Sequence, residues 1–147
     1  MPSLVKIRIS WATCFAAGLM LLLLPLQWCF AMALAAAVHE FCHIACVIML
    51  GGNVLNIRLG FGGAVIETDI HGRVKTLLCC LAGPVGALSI LFFARILPRT
   101  ALCVLIQSAF NLLPVYPLDG GKALRCILEA VFRKNSLQRG LHGCTIE

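Results

Sequence analysis

Apolar residues occupy long stretches of the chain that are separated by short polar segments. The first stretch, residues 9–38, contains no charged residue, and as one helix it would be about 45 Å long. The hydrocarbon core of a membrane is about 30 Å thick, so one span cannot use the whole stretch. Pro25 marks a break within it. The pattern therefore predicts one helix at residues 9–24 and a second at residues 28–50.

The periodicity of the chain changes after the second predicted helix. Apolar side chains recur at every second position from Leu55 to Phe61, which is typical of a strand. We therefore expect a β-like loop over residues 54–68.

Two further apolar segments follow, at residues 76–94 and 101–132. Within the first, Ala82–Ala87 has small residues in small-xxx-small spacing, which allows another helix to approach closely. The second is interrupted at Pro114–Pro117. Its first part is too short to cross a membrane alone, and a new helix can begin near Asp119.

The composition identifies these segments as parts of a membrane protein. Hydrophobic residues make up 61% of the 147 residues and charged residues only 12%, against about 45–50% and about 25% in soluble domains. This excludes an ordinary soluble enzyme. We predict an α-helical integral membrane protein with about four membrane segments, the last of them broken, and with the β-like loop between the second and the third. Residues 1–147 are expected to form a single membrane-embedded core with no soluble accessory domain.

Basic residues flank the apolar segments. The net charge is +6, but the basic side chains lie beside the apolar runs, so they indicate anchors at the inner membrane face and not nucleic-acid binding. An amino terminus on the inside places Arg95 and Arg99 outside and most other basic residues inside, as the positive-inside rule requires. We therefore predict a multi-pass protein of the cell membrane with both termini in the cytoplasm. A signal peptide is the alternative for the amino-terminal stretch, but the apolar pattern continues beyond its small residues.

Nine cysteines are spread through the chain. Their number is odd, no CxxC motif occurs and most of them lie inside apolar segments, so we interpret them as reduced, apolar side chains within helices. This interpretation fits a reducing cytosolic face.

Ionisable residues occur in the second predicted helix, where burial in lipid is costly and indicates a functional role. His39 and His43 are one turn apart on the same helix face, so both imidazoles can bind one zinc ion. Glu40 lies about 100° around the helix from His39, where it can reach a water beside the metal. This spacing is the HExxH pattern of zinc metalloproteases. The alternative is a polar cluster that joins helices by hydrogen bonds.

A catalytic zinc site needs three protein ligands and one open position. Asp119 is the candidate for the third ligand because it follows the Pro114–Pro117 break, and irregular backbone at membrane depth is tolerated where it lines a cavity or is buried in protein. A helix N-cap is the alternative role for Asp119. Cys42 and Cys46 are alternative ligands, and thiolates there would close the site and make it structural.

Two motifs together resemble the site-2 protease (M50) family of intramembrane zinc metalloproteases. They are HEFCH at residues 39–43 and NLLPVYPLDGG at residues 111–121. GFGGAVIE at residues 60–67 and AGP at residues 82–84 are similar to the branch that contains stage IV sporulation protein FB. The resemblance covers about residues 30–130.

The resemblance implies one Zn²⁺ per chain, held by His39, His43 and Asp119. It also implies that Glu40 is the general base, that Asn111 assists the substrate or the oxyanion, and that the β-like loop lies near the substrate path. The implied function is hydrolysis of a peptide bond in or near a transmembrane segment of a membrane-protein substrate, as in regulated intramembrane proteolysis. The implied partners are that substrate and the lipid bilayer, with a regulatory membrane partner or an oligomer left open.

The same ligands also fit a non-catalytic zinc protein that binds a membrane partner. Glu40 separates the two functions, since binding alone requires no base. A metal carrier is less favoured, because it would place polar residues on several helices and the first and third spans lack them.

Overall fold

The described part of the chain is mostly helical and carries one small sheet. A computed structural model describes residues 6–9, 11–60, 63–69 and 72–142. In chain order the elements are β1 (Lys6–Ile9), α1 (Trp11–Leu23), α2 (Leu26–Met49), β2 (Val54–Gly60), β3 (Gly63–Thr68), α3 (Arg73–Ala87), a 3₁₀ helix (Leu88–Phe93), α4 (Pro98–Asn111) and α5 (Asp119–His142).

Two helical segments have the length and composition of membrane spans. They are Leu26–Met49 and Arg73–Phe93, the second comprising α3 and the 3₁₀ helix. Helices α1 and α4 have 13 and 14 residues, which is about 20 Å of helix and less than the thickness of the hydrocarbon core. The number of four crossings therefore stays a prediction.

The helices turn large apolar side chains outward. Phe30, Phe41 and Phe92 are 67%, 68% and 90% exposed, which is costly in water and favourable in lipid. The outward faces therefore support membrane association.

The buried face of α2 follows a spacing of four residues. Ala31, Ala35 and His39 are buried along it, and Ala35 forms the core cluster with Ala87 of α3 and Val104 of α4. The small residues let the three helices pack closely, and His39 extends this apolar stripe with a polar group.

The sheet has the strand order β1-β2-β3. Strands β2 and β3 pair antiparallel, and at their base Asn53 Nδ2 donates to Asp69 Oδ2 at 2.8 Å. They occupy residues 54–60 and 63–68, inside the range where the alternation predicted a β-like loop.

Strand β1 was not predicted from the sequence. It pairs parallel with β2, with Ile7 opposite Ile57, a partnership that no local pattern reveals. The first helix, predicted from residue 9, accordingly begins at Trp11, and Ile9 ends β1.

Candidate metal centre

Three side chains from two distant parts of the chain meet at one point. Asp119 Oδ2 lies 3.1 Å from His39 Nε2 and 3.1 Å from His43 Nε2. The two imidazole nitrogens are 3.2 Å apart. Among the described residues these three form the one group of His, Cys, Asp and Glu side chains whose donor atoms converge as metal ligands would.

The spacing of the three atoms fits a zinc ion. Zinc binds imidazole nitrogen at about 2.0–2.1 Å in a tetrahedral arrangement, which separates neighbouring ligand atoms by about 3.3 Å. The observed separations of 3.1–3.2 Å are close to this edge length.

The hydrogen bond of His43 to α3 leaves its Nε2 free to bind a cation. Its Nδ1–H donates to the Cys79 backbone oxygen at 2.7 Å, so in the neutral ring Nε2 carries a lone pair. That lone pair faces the Asp119 carboxylate at 3.1 Å. Two acceptors so close repel unless a proton or a metal ion lies between them, and two imidazole nitrogens with one carboxylate oxygen are a donor set that fits zinc.

The break before α5 brings Asp119 to the histidines. Gly120 and Gly121 are buried and pack on the backbone of this break. A Cβ on Gly120 would lie 2.6 Å from the Leu113 oxygen, and one on Gly121 would lie 2.6 Å from the Tyr116 nitrogen. The glycine pair therefore allows the approach that directs Asp119 at both imidazoles, a position that an N-cap role alone does not require.

The second oxygen of Asp119 is held by Lys122. The Lys122 ammonium donates to Asp119 Oδ1 at 3.2 Å. The nearby ammonium charge favours the ionised form of the Asp119 carboxyl, which is the form that can bind a cation.

Replacing Lys122 with Met should weaken zinc binding by about two- to fivefold, because it removes the contact that holds the Asp119 carboxylate. The effect should be small, since the Lys122 side chain is 41% exposed and such ion pairs contribute less than about 1 kcal/mol. Zinc titration of the purified protein measures the effect. Arg125→Met is the matched control, since Arg125 pairs with Glu129 on the exposed side of the same helix. Equal affinities of the two variants would contradict a role for Lys122.

Asn111 lies at the edge of this centre, and Glu40 is the neighbour of His39 on α2. Asn111 ends α4 and its Nδ2 is 3.4 Å from His39 Nε2. Glu40 is half-buried on α2 at the position that follows His39. The structure thus brings Asn111 and the three ligand candidates together and places Glu40 on the adjoining helix surface.

Gly83 lets α3 approach the ring of His43. A Cβ at this position would overlap the imidazole, with the Cδ2 atom at 2.7 Å. The small-residue pattern of Ala82–Ala87 predicted a close helix approach, and the structure identifies the partner as α2. The contact with a metal-ligand candidate was not predicted.

The thiols proposed as alternative ligands face α3. Cys46 Sγ lies 3.7 Å from Cys79 Sγ, and Cys42 Sγ lies where a Cβ on Gly86 would be 2.8 Å away. Among the described residues neither thiol belongs to the converging group, so a structural site closed by these thiolates is not supported.

Comparisons with known proteins bear on the family and the fold. Residues 78–144, which include Asn111 and Asp119, match the profile of peptidase family M50. The fold is similar to that of the site-2 protease from Methanocaldococcus jannaschii, with a TM-score of 0.69 and 22% sequence identity over 84% of this chain and 67% of that chain. No curated protein matches the chain. The chain therefore has the fold of a site-2 protease and, over residues 78–144, the sequence features of peptidase family M50.

Proposed function

We propose that the protein is an intramembrane zinc metalloprotease that hydrolyses a peptide bond in or near a transmembrane segment of a membrane protein. The observation that carries the proposal is the convergence of His39, His43 and Asp119 within a fold whose outer faces suit lipid. The site-2 protease fold and the M50 match support it. GFGGAVIE at residues 60–67 and AGP at residues 82–84 favour the branch that contains stage IV sporulation protein FB.

Each residue of the centre has a distinct part in the reaction. His39, His43 and Asp119 would hold one zinc ion. A zinc ion so held supplies a Lewis acid for the scissile carbonyl and lowers the pKa of water to about 7. Glu40 takes the proton from the attacking water and delivers it to the leaving amide nitrogen. Asn111 Nδ2 donates to the oxygen on which negative charge develops.

A helical substrate must unwind before this reaction, because its carbonyl groups are engaged in its own hydrogen bonds. Strand β3 is an outer strand in the order β1-β2-β3, and an extended segment can pair with such an edge. We therefore assign the sheet to substrate binding.

The protein is proposed to lie in the cell membrane as a multi-pass protein with both termini in the cytoplasm. The basic residues of the sequence support this orientation. Its partners are then a membrane-protein substrate and the lipid bilayer.

Removal of zinc tests the proposed function. We expect co-expression with candidate single-span proteins to identify a substrate that is cleaved. When the protein and this substrate are purified, a zinc chelator should stop the cleavage and added zinc should restore it. Immunoblotting of an epitope-tagged substrate measures the cleavage. Cleavage that persists after complete zinc removal would contradict the proposal. A protein that binds zinc but cleaves none of the candidates would favour the non-catalytic alternative.

A further inference from the structure

Two buried polar atoms have no hydrogen-bond partner within the described part of the chain. They are Nδ1 of His39 and Oγ of Ser108. Both residues are 2% exposed. A buried polar group without a partner costs about 1–3 kcal/mol, so two such groups at one level of the fold require an explanation.

The two residues occupy facing helices at the same level. Ala35 of α2 and Val104 of α4 share the core cluster, and further along both helices Asn111 Nδ2 lies 3.4 Å from His39 Nε2. The helices therefore run in the same direction. His39 follows Ala35 by four residues and Ser108 follows Val104 by four, so both lie one turn beyond the same contact.

Each of the other two ligand candidates already has a hydrogen-bond partner on the side that faces away from the shared metal position. His43 Nδ1–H donates to the Cys79 backbone oxygen, and Asp119 Oδ1 accepts from Lys122. A metal-binding imidazole almost always donates its second N–H to an acceptor, which fixes the ring orientation and tautomer. His39 needs such an acceptor, and the Ser108 hydroxyl lies at the matching level of α4.

We propose that Ser108 is the positioning residue of His39, with its Oγ accepting the Nδ1–H of the imidazole. The proposed bond would form directly in another of the three staggered rotamers of Ser108, or through one bridging water. The bond holds the tautomer whose Nε2 carries the lone pair. This proposal rests on the proposed function, because it takes Nε2 of His39 to face zinc.

Zinc affinity of the Ser108→Ala variant tests the proposal. Competition with a chromophoric chelator should show binding weakened about 10- to 100-fold. Circular dichroism of the variant should show native helix content, so that the loss is one of zinc binding and not of folding. In the zinc-loaded Ser108→Ala variant, NMR should show that the Nδ1–H of His39 exchanges with water faster than in the unsubstituted chain. The Ser108→Thr variant keeps the hydroxyl and should retain most of the zinc affinity.

Thr100→Val is the matched control. Thr100 is also buried on α4, at 4% exposed, and lies about 12 Å along the helix from Ser108. Its zinc affinity should equal that of the unsubstituted chain. Unchanged affinity of Ser108→Ala, or an equal loss in Thr100→Val, would overturn the proposal while the proposed function stands. An unsubstituted chain that binds no zinc would overturn both.

Discussion

Gly83→Ala should abolish zinc binding and proteolysis although it changes no ligand. The added Cβ overlaps the imidazole of His43, with the ring Cδ2 only 2.7 Å away. The ring cannot yield without leaving the Cys79 carbonyl that fixes its tautomer. Loss of the hydrogen bond that orients a metal ligand weakens metal binding about 10- to 100-fold, and here the ligand itself is displaced. We therefore expect zinc affinity to fall by more than about 100-fold, measured by titration and by metal content after purification.

Two other glycine substitutions control for packing. Gly86→Ala brings its Cβ to 2.8 Å from Cys42 Sγ at the same interface, where a side chain that is not a ligand can move aside. Gly18→Ala adds a methyl group with nothing within 4 Å. Both variants should keep zinc, and circular dichroism should show native helix content in all three. If Gly83→Ala binds zinc as tightly as Gly86→Ala, the contact with His43 is unimportant for the centre.

Glu40→Gln should retain zinc and lose proteolysis. The substitution keeps the size of the side chain and removes its ability to accept a proton, while His39, His43 and Asp119 are untouched. General acid–base catalysis contributes about 10²–10⁴-fold, so cleavage of a co-expressed substrate should fall by about that factor. The paired measurements are cleavage rate and zinc content in the same preparation.

The control is Glu129→Gln, which removes an exposed carboxylate that pairs with Arg125 on α5. It should cleave at the unsubstituted rate. A Glu40→Gln protein that still cleaves at this rate would remove Glu40 from the mechanism, and one that loses zinc would show that Glu40 supports the metal centre itself.

Local patterns were sufficient for the parts of the site that lie within one helix. The spacing of His39 and His43 and the break before Asp119 depend on helix periodicity and on proline, which act over a few residues. The prediction that Asp119 lies near the histidines needed the additional argument that irregular backbone at membrane depth lines a cavity.

Contacts between distant segments could not be predicted from the sequence. The Cys79 carbonyl that orients His43 is a backbone group, which every residue has, so no residue type marks it. The parallel pairing of β1 with β2 joins residues about fifty positions apart, and the level of Ser108 relative to His39 depends on how α4 packs on α2. The small residues in α3 predicted the close approach of another helix, but they did not identify the His43 ring as the group that contacts Gly83.

The centre is divided between α2 and the beginning of α5, with 80 positions separating His39 from Asp119. An ion bound by both would act as a cross-link that closes the long loop between the two helices. No amino-terminal part of the chain that ends before Asp119 contains all three donors. During synthesis, the proposed zinc site would therefore be completed only after Asp119 has emerged and docked beside the two histidines.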